Sequence, residues 1–329
     1  MRKLDRILIT GGAGFIGSAF IRWLIRLPEF EGRIVNLDKL TYAADLKLLK
    51  SLEDHPRYRF IQGDILNQKL VEELLETHEI DAVVHFAAET HVDRSIASAR
   101  PFIETNVQGT LTLLEAVRKL PDIHFHHIST DEVYGSLGES GAFSEMSPYR
   151  PNSPYAASKA ASDHLVRAFA RTYGISTTIS HCSNNYGPGQ NREKFIPLMI
   201  CHALEGKPLP VYGRGANIRD WLYVDDHAEA IWRILCHGRQ GETYDIGGGE
   251  ELTNLLLLER LLRILSDETG YPLRGYHDLV RHVSDRPGHD FRYAIDTGKI
   301  KKDLGWSPNT LMDNGLRKTI RWHLRKTAI

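Results

Sequence analysis

Short apolar runs alternate with longer segments in which apolar residues recur every three or four positions, through the first 185 residues of the chain. The runs are rich in Ile, Val and Leu and give way to Gly, Asp or Asn. Runs that are apolar on both faces are typical of parallel strands covered by helices on both sides. The predicted strands are 7–10, 33–38, 58–64, 82–88, 123–129 and 176–181, and the predicted helices are 15–27, 68–78, 101–120 and 155–173.

This alternation predicts an α/β protein with a Rossmann-type doubly wound parallel sheet. The rhythm breaks after about residue 185, where 187–192 is a loop and 255–269 and 314–326 are helical candidates. We therefore expect a smaller, mixed α/β C-terminal substrate domain that is interleaved with the last strands of the sheet. The predicted first domain covers 1–185 plus about 222–250, and the second covers about 186–221 plus 251–329.

Composition narrows the class of protein. The 329 residues carry a formal net charge of −1, which argues against nucleic acid or an anionic membrane surface as a partner. Three widely spaced cysteines without a CxxC pair predict neither disulfides nor a metal site. No stretch approaches the roughly 18–20 apolar residues of a membrane span, and the first apolar run is too short for a signal peptide. We expect a cytoplasmic protein without a metal.

A glycine turn joins the first strand to the first helix, with Gly11, Gly14 and Gly17 at intervals of three. Such a turn lets backbone N–H groups at a helix N-terminus approach a pyrophosphate. Asp38 ends the next strand, where a carboxylate binds an adenosine ribose diol and repels a 2′-phosphate. The pattern predicts NAD as the cofactor, and a glycine turn that serves packing alone is the alternative.

Two further strand ends point to the same ligand, because open α/β sheets bind ligands at the carboxyl edge of their strands. Asp64 and Ile65 follow the third strand and are predicted to meet the adenine. Ala87, Ala88 and Thr90 follow the fourth and are predicted to pass beneath the nicotinamide ribose. A plain helix-initiating aspartate is the alternative for Asp64.

The candidate chemistry lies after the fifth strand and at the start of the helix over 155–173. Tyr155 and Lys159 are four residues apart and share one helix face, so we expect the lysine ammonium to lower the pKa of the phenol and make it a base. Asp131 and Glu132 offer an acid and a base side by side. A solvated turn is the alternative for this pair, and chance coincidence is the alternative for Tyr155 and Lys159.

A set of motifs extends these features over nearly the whole chain. They are TGGAGFIG at 10–17, THVDRSI at 90–96, TDEVYG at 130–135, SNNYGP at 183–188, RDWLYV at 219–224 and RPGHD at 286–290. Together they resemble the dTDP-glucose 4,6-dehydratase family of the extended short-chain dehydrogenase/reductases, from about residue 8 to 306. The combination is far more specific than any one motif.

The resemblance implies a lyase reaction with three stages. Tyr155 accepts a proton as the sugar C4 is oxidised, with Thr130 linking the C4 oxygen to the phenol. Glu132 then removes the C5 proton while Asp131 protonates the departing C6 hydroxyl, and hydride returns to C6. Asp131 has to begin protonated, and burial next to Glu132 would raise its pKa in that direction.

The resemblance also assigns binding residues. For NAD it adds Phe15, Ile16, Lys39, Leu40, Thr41, Phe86, Thr105 and Asn185, together with Tyr155 and Lys159. For the nucleotide sugar it implies Thr90, Thr130, Asn184, Lys194, Phe195, Pro210, Tyr212, Arg219, Asn254, Arg286 and His289.

Several alternatives stay open at this point. Asn191-Arg192 and Ala44-Asp45 depart from the family's pattern near the expected nucleotide, so dTDP-glucose is the expected substrate with uridine or another nucleotide possible. An epimerase or decarboxylase on the same scaffold is disfavoured by Asp131. A non-catalytic NAD-binding sensor is disfavoured by the complete set of reactive side chains. The resemblance further implies a homodimer, formed through helices near 101–119 and 155–173.

Overall fold

The centre of the protein is a seven-stranded parallel sheet. The computed structural model describes residues 2–120, 122–285 and 288–327. Within them the sheet has the strand order β10-β6-β5-β4-β1-β2-β3. Its strands are β1 (Arg6–Thr10), β2 (Arg33–Asp38), β3 (Tyr58–Gln62), β4 (Ala82–His85), β5 (His124–Thr130), β6 (Thr177–Cys182) and β10 (Thr243–Ile246). The order reverses beside β1, which opens a crevice at the carboxyl edge of the strands.

Helices cover both faces of this sheet. They are α1 (Phe15–Arg26), α2 (Gln68–Thr77), α3 (Val92–Ala97), α4 (Arg100–Phe102), α5 (Gly109–Arg118), α6 (Pro154–Tyr173), α8 (Val224–His237) and α11 (Gly298–Leu304). Short 3₁₀ segments cover Leu46–Leu52 and Asp131–Tyr134, and a π-helical segment over Ile103–Gln108 joins α4 to α5.

Alternate residues of β1 show how the two faces are built. Leu8 packs in a buried cluster with Leu113 of α5, whereas Ile7 and Ile9 pack with Phe20 of α1 on the opposite face. All five side chains are fully buried. Burial of a side chain of this size contributes about 1.5–3 kcal/mol relative to exposure. A strand that is apolar on both faces is therefore stable only between two helical layers.

The remaining elements form a second core. A three-stranded sheet has the order β11-β9-β7, and a two-stranded sheet pairs β12 with β8. The strands are β7 (Asn184–Tyr186), β8 (Leu209–Tyr212), β9 (Ile218–Tyr223), β11 (Glu251–Thr253) and β12 (Val280–Val283). The helices are α7 (Phe195–Leu204), α9 (Asn254–Thr269), α10 (Leu273–His277) and α12 (Met312–Thr327). Residues of α7, α9 and α12 bury their apolar faces against these strands.

The predicted fold class is confirmed, with some local differences. Asn67 caps α2, since its side chain accepts a hydrogen bond from the Leu70 amide. β4 ends at His85 instead of residue 88, because the chain leaves the sheet there to line the cleft described below. The sequence patterns gave no separate prediction for the helices α3, α7 and α8. The residue limits of the two domains stay a prediction. No helix among the described residues is long and apolar enough to cross a membrane.

Candidate active site

A cleft of about 330 Å³ runs along the carboxyl edge of the central sheet. It brings together side chains that are distant in sequence because parallel strands end at the same edge. All five predicted catalytic residues line it: Thr130, Asp131, Glu132, Tyr155 and Lys159. So do the predicted cofactor residues Gly11, Gly14, Phe15, Ile16, Gly17, Asp38, Lys39, Thr41, Asp64, Ile65, Phe86, Ala87, Ala88, Thr90, Thr105 and Asn185.

The glycine turn is shaped for close approach. Gly11 has a φ of +71°, and a Cβ on it would lie 2.5 Å from the Ala87 backbone nitrogen. A Cβ on Gly17 would lie 2.6 Å from the Gly11 carbonyl oxygen. Gly14 is the N-cap of α1 and has no side chain with which to cap the first N–H groups of the helix. Those groups therefore stay available for an anionic ligand.

Asp38 lies at the end of β2 and faces the same cleft. Its Oδ2 accepts a hydrogen bond from the Ala13 amide at 2.9 Å, and its Oδ1 accepts one from the Leu40 amide at 2.8 Å. Burial raises the pKa of Asp38, and these two backbone hydrogen bonds offset part of that rise. Leu40 does not line the cleft, but its φ of 61° brings its backbone N–H within hydrogen-bonding distance of the Asp38 carboxylate.

The cleft fits a dinucleotide. A turn that excludes Cβ atoms and uncapped amides at a helix N-terminus suit a pyrophosphate, and a carboxylate on the next strand suits a ribose diol. Asp64, which is predicted to meet the adenine, is ion-paired with Lys39, with 2.6 Å between Oδ2 and Nζ. Within the described residues no group of three or more His, Cys, Asp and Glu side chains is placed to hold a metal.

Asp131 and Glu132 begin the 3₁₀ turn that follows β5. Asp131 is only 2% exposed. Its Oδ1 accepts a hydrogen bond from the Thr130 hydroxyl at 3.3 Å, and its Oδ2 has no hydrogen-bond partner in the described part of the chain. Burial, followed by the charges of Glu132 and Asp220, raises the pKa of Asp131 well above its usual value. A neutral carboxylic acid beside a second carboxyl group can supply a proton where its neighbour accepts one.

Tyr155 and Lys159 lie in the first two turns of α6. Lys159 Nζ donates a hydrogen bond to the Ile128 carbonyl at 2.8 Å, and burial lowers its pKa to about 8. The predicted lowering of the Tyr155 pKa is wrong for the protein by itself. Burial and then the charge of Glu132 raise it well above 10, and a hydrogen bond with Thr130 offsets only part of this rise.

The predicted substrate residues fall into two groups. Thr90, Thr130, Asn184 and Lys194 line the cleft. Phe195, Pro210, Tyr212, Arg219, Asn254 and His289 do not, and Arg286 lies outside the described residues. Tyr212 and His289 face each other edge to face with ring centroids 6.2 Å apart. The Arg219 guanidinium donates to the carbonyls of Ile218 and Asp290.

Sequence reasoning missed two features around the cleft. The Arg94 guanidinium lies 3.6 Å from the centroid of the Tyr42 ring, and it also contacts Glu193 at 3.4 Å, so helix α3 and two loops meet beside the cleft. The second feature is Asp163, which lies buried behind Lys159. The signal for Asp163 was present, because it follows Lys159 by four residues on the same helix.

These features are those of an extended short-chain dehydrogenase/reductase. The family model described as GDP-mannose 4,6 dehydratase matches residues 8–319. The dTDP-glucose 4,6-dehydratase of Neisseria gonorrhoeae is 53% identical and covers 97% of this chain and 95% of its own. The dTDP-glucose 4,6-dehydratase of Xanthomonas campestris pv. campestris is 52% identical, and the match covers 96% of this chain and 92% of that relative.

A solved structure agrees with these relatives. DesIV, the dTDP-glucose 4,6-dehydratase from Streptomyces venezuelae crystallised with NAD and TYD bound, matches with a TM-score of 0.90. It is 48% identical, and 98% of each chain is covered. The chain therefore belongs to the GDP-mannose 4,6 dehydratase family, and the dTDP-glucose 4,6-dehydratases named here are its relatives within that family. The predicted family resemblance is confirmed.

Proposed function

We propose that this protein converts dTDP-glucose to dTDP-4-keto-6-deoxyglucose and water, with NAD as a hydride carrier that is regenerated in each turnover. One observation carries the proposal most directly. A buried Asp131, with its pKa raised and one oxygen unpartnered among the described residues, lies beside Glu132 in the cleft that also holds Tyr155 and Lys159. The relatives that bear this activity in their names are about half identical to the chain.

The glycine turn, Asp38 and the strand ends of the cleft are the residues that would hold NAD. When bound, NAD takes up the hydride from the sugar C4, returns it to C6, and in its oxidised form carries a positive charge on the nicotinamide ring. Asp38 favours NAD over NADP because its carboxylate would repel a 2′-phosphate. DesIV, which was crystallised with NAD bound, supports this part of the proposal.

Tyr155 is the base for the C4 hydroxyl. In the protein by itself the phenol holds its proton firmly, because it is buried and close to Glu132. It becomes a base only when positive charge collects around it, and Lys159 is the cation on the same helix face. Thr130 hydrogen-bonds the phenol and lies on the path from the C4 oxygen.

Glu132 and Asp131 carry out the elimination. Oxidation at C4 makes the C5 proton acidic, and Glu132 removes it. Asp131, held neutral by burial, donates its proton to the C6 hydroxyl, so the C–O bond breaks and water leaves. After hydride has been returned to C6, Glu132 gives a solvent-exchanged proton to C5. The proton that Tyr155 took from the C4 hydroxyl passes to the solvent, from which Asp131 regains its own.

The substrate spans the cleft and the C-terminal elements. Thr90, Thr130, Asn184 and Lys194 hold the sugar and the diphosphate from the cleft. Phe195, Pro210, Tyr212, Arg219, Asn254, Arg286 and His289 complete the proposed nucleotide site. Thymidine is the nucleoside that we propose for the substrate, in agreement with the names of the relatives.

Assembly and location are part of the same proposal. We expect a homodimer through α5 and α6, in line with Ile103 and Leu111, which are 45% and 37% exposed on the helical layer that contains these helices. We also expect a cytoplasmic location. Cys182, Cys201 and Cys236 are free thiols, as in a reducing compartment.

The test is a label-transfer experiment with the purified protein and dTDP-glucose deuterated at C4. The product should carry that deuterium at C6, and in D₂O solvent deuterium should enter C5. C5 or C4 inversion without loss of the C6 hydroxyl would indicate an epimerase, and loss of CO₂ from a uronic acid substrate would indicate a decarboxylase. A panel of dTDP-, UDP- and GDP-sugars assayed in parallel identifies the base that the protein accepts.

A further inference from the structure

Helix α6 presents three reactive side chains at intervals of four residues: Tyr155, Lys159 and Asp163. Residues at this spacing lie on one helix face. The first two line the cleft, whereas Asp163 lies below them and is fully buried. The reaction proposed above uses Tyr155 and Lys159 and gives Asp163 no task.

Asp163 accepts an unusual number of contacts for a buried carboxylate. Its Oδ2 receives hydrogen bonds from Ser129 Oγ at 3.0 Å, Tyr149 OH at 2.9 Å and His181 Nε2 at 2.9 Å. Its Oδ1 lies 3.3 Å from His127 Nε2. Burial by itself would raise the pKa of Asp163, but its contacts with His127 and His181 outweigh burial and hold the pKa well below its usual value. Asp163 is an anion.

The polar contacts continue from Asp163 through His181 to Asp245, on the side away from the cleft. His181 Nδ1 lies 3.0 Å from Asp245 Oδ1, which also accepts a hydrogen bond from Tyr134 OH at 2.9 Å. Burial would lower the pKa of His181, but its hydrogen bonds with Asp163 and Asp245 raise it to about 9. We call His127, Asp163, His181 and Asp245 the histidine–aspartate cluster. His181 lies between Asp163 and Asp245, so its imidazolium is shared by two carboxyl groups and does not pair with Asp163 alone.

Lys159 is the cation on the cleft side that the charge of Asp163 acts on. Its Nζ lies 3.3 Å from His127 Nε2, the same nitrogen that lies 3.3 Å from Asp163. Burial lowers the pKa of His127 to about 4, so the imidazole between them is neutral. A neutral imidazole can use this nitrogen to accept from Lys159 or to donate to Asp163, but not for both. The ammonium and the carboxylate therefore interact through their charges across a ring that adds none of its own.

We propose that Asp163 is the counter-ion that keeps Lys159 protonated inside the protein, and that it is thereby a positioning residue for the reaction. The catalytic consequence rests on the proposed function, whereas the ion pairing does not. Without a counter-ion, a buried lysine loses its proton, because desolvation penalises the charged form. A neutral Lys159 could no longer supply the positive charge that Tyr155 requires.

The other groups that face Lys159 do not replace Asp163. They are His127 from β5, Cys182 from β6, His85 from β4 and Tyr155 from its own helix. Burial holds His85 and His127 in the neutral form and raises the pKa of the Cys182 thiol to about 12. Asp163 is the group among these neighbours that carries a full negative charge.

The first experiment is the pH dependence of C4 oxidation in Asp163→Asn, followed by nicotinamide absorbance in single turnovers with dTDP-glucose. Asn keeps the shape of the side chain and removes the charge, so Lys159 should lose its proton at lower pH. The alkaline limb of the rate profile should move toward acid by about one pH unit or more. A uniformly slower enzyme with an unmoved limb would show a merely structural role and overturn the proposal.

Two variants serve as controls. Asp163→Glu keeps the charge and should return the alkaline limb toward its wild-type position. Asp226→Asn changes another buried aspartate, one that accepts hydrogen bonds from the Asn309 and Thr310 amides far along the chain. It should leave the limb in place, and a shift as large as that of Asp163→Asn would contradict the proposal.

The second experiment needs no activity. It is a double-mutant cycle on thermal unfolding at neutral pH with Lys159→Met and Asp163→Asn. Lys159→Met leaves a buried negative charge unbalanced in the wild-type background and should lower Tm clearly. In the Asp163→Asn background the same change should lower Tm less, or raise it. Additive effects would refute the ion pairing.

The two experiments separate the two proposals. A wild-type protein that does not act on dTDP-glucose refutes the proposed function, and the unfolding cycle then decides the ion pairing by itself. If Asp163→Asn fails to fold alone but folds together with Lys159→Met, that rescue is the strongest form of the expected coupling. If neither folds, Asp163→Glu with a wild-type limb supports the proposal, and Asp163→Glu with an acid-shifted limb rejects it.

Discussion

Asp131 and Asp163 are two aspartates with almost the same burial and opposite protonation. Asp131 lies at the end of β5 with a single hydrogen bond of 3.3 Å, and its pKa is raised. Asp163 lies on the buried face of α6 with three hydrogen bonds of 3.0 Å or less to one oxygen, and its pKa is lowered. Burial is common to both, so the number of donors and the nearby imidazolium make the difference.

Asp38 falls between these two cases. It is buried and accepts two backbone hydrogen bonds, and its pKa is raised in spite of them. The three residues form a series in which added donors progressively stabilise the carboxylate. The poorly solvated member is the one proposed as an acid, and the well solvated member is the one proposed as a counter-ion.

The largest effect is expected for Asp131→Asn. Asparagine resembles a protonated carboxyl group in shape but cannot give up a proton, so kcat should fall by about 10²–10⁴-fold. C4 oxidation should be slowed less than elimination, and NADH absorbance should accumulate during a turnover. Above about pH 4 the variant should be as stable as wild type or more stable, because the unfolded wild-type chain releases a proton there that folded Asp131 retains. A variant with wild-type kcat would remove Asp131 from the acid role.

Asp163→Asn, unlike Asp131→Asn, should lower the free energy of unfolding. It removes the anion from a buried pair with His181, and breaking such a pair typically costs about 3–5 kcal/mol. Urea unfolding at neutral pH, compared with Asp131→Asn, measures the contrast directly. Because the pKa of Asp163 is lowered by folding, the difference from wild type should shrink as the pH falls below about 4. Equal stability of the two variants at neutral pH would contradict the comparison.

The imidazolium in the cluster predicts a pH dependence of the wild-type protein. Folding raises the pKa of His181 from 6.5 to about 9, so its contribution is complete below pH 6.5 and is lost as the pH rises toward 9. The loss amounts to about 3 kcal/mol at most. It is best observed below pH 8, because Lys159, whose pKa is lowered to about 8, adds stability above that value.

His181→Gln is the variant that isolates this contribution. It should be less stable than wild type at pH 6.5, and its Tm should change less between pH 6.5 and pH 8. A variant with the same slope as wild type over that range would show that another group causes the pH dependence.

The smallest effect is expected for Asp38→Asn. The amide keeps one of the two backbone contacts, because only its oxygen accepts a hydrogen bond, and it loses the charge that strengthens a hydrogen bond to a ribose hydroxyl. We expect NAD affinity to fall by about tenfold, since a hydrogen bond to a charged group contributes about 1.5–3 kcal/mol and one to a neutral group about 0.5–1.5 kcal/mol. Discrimination against NADP should also decrease. Calorimetry with both cofactors measures the two quantities, and unchanged values would argue that Asp38 does not meet the ribose.

The fold and most of the cleft could be predicted from the sequence. Gly11, Asp38 and Asp131 each follow an apolar strand, and the strand ends of a parallel sheet meet, so local patterns were enough to predict that these residues lie together. The outcome for Tyr155 shows the limit. Its four-residue spacing from Lys159 correctly placed the two side chains on one helix face. The direction of the Tyr155 pKa shift, however, depends on burial and on Glu132, which the spacing does not reveal.

The sequence by itself determined the alternation of strands and helices, the glycine turn and the family of this protein, because each depends on residues that are close in the chain. Tertiary structure decided the charge states. Asp163 contacts side chains that come from the end of β5, the segment before α6, and β6, and Asp131 is surrounded by elements from both halves of the chain. The solvation of a buried carboxyl group is set by neighbours that only folding brings together.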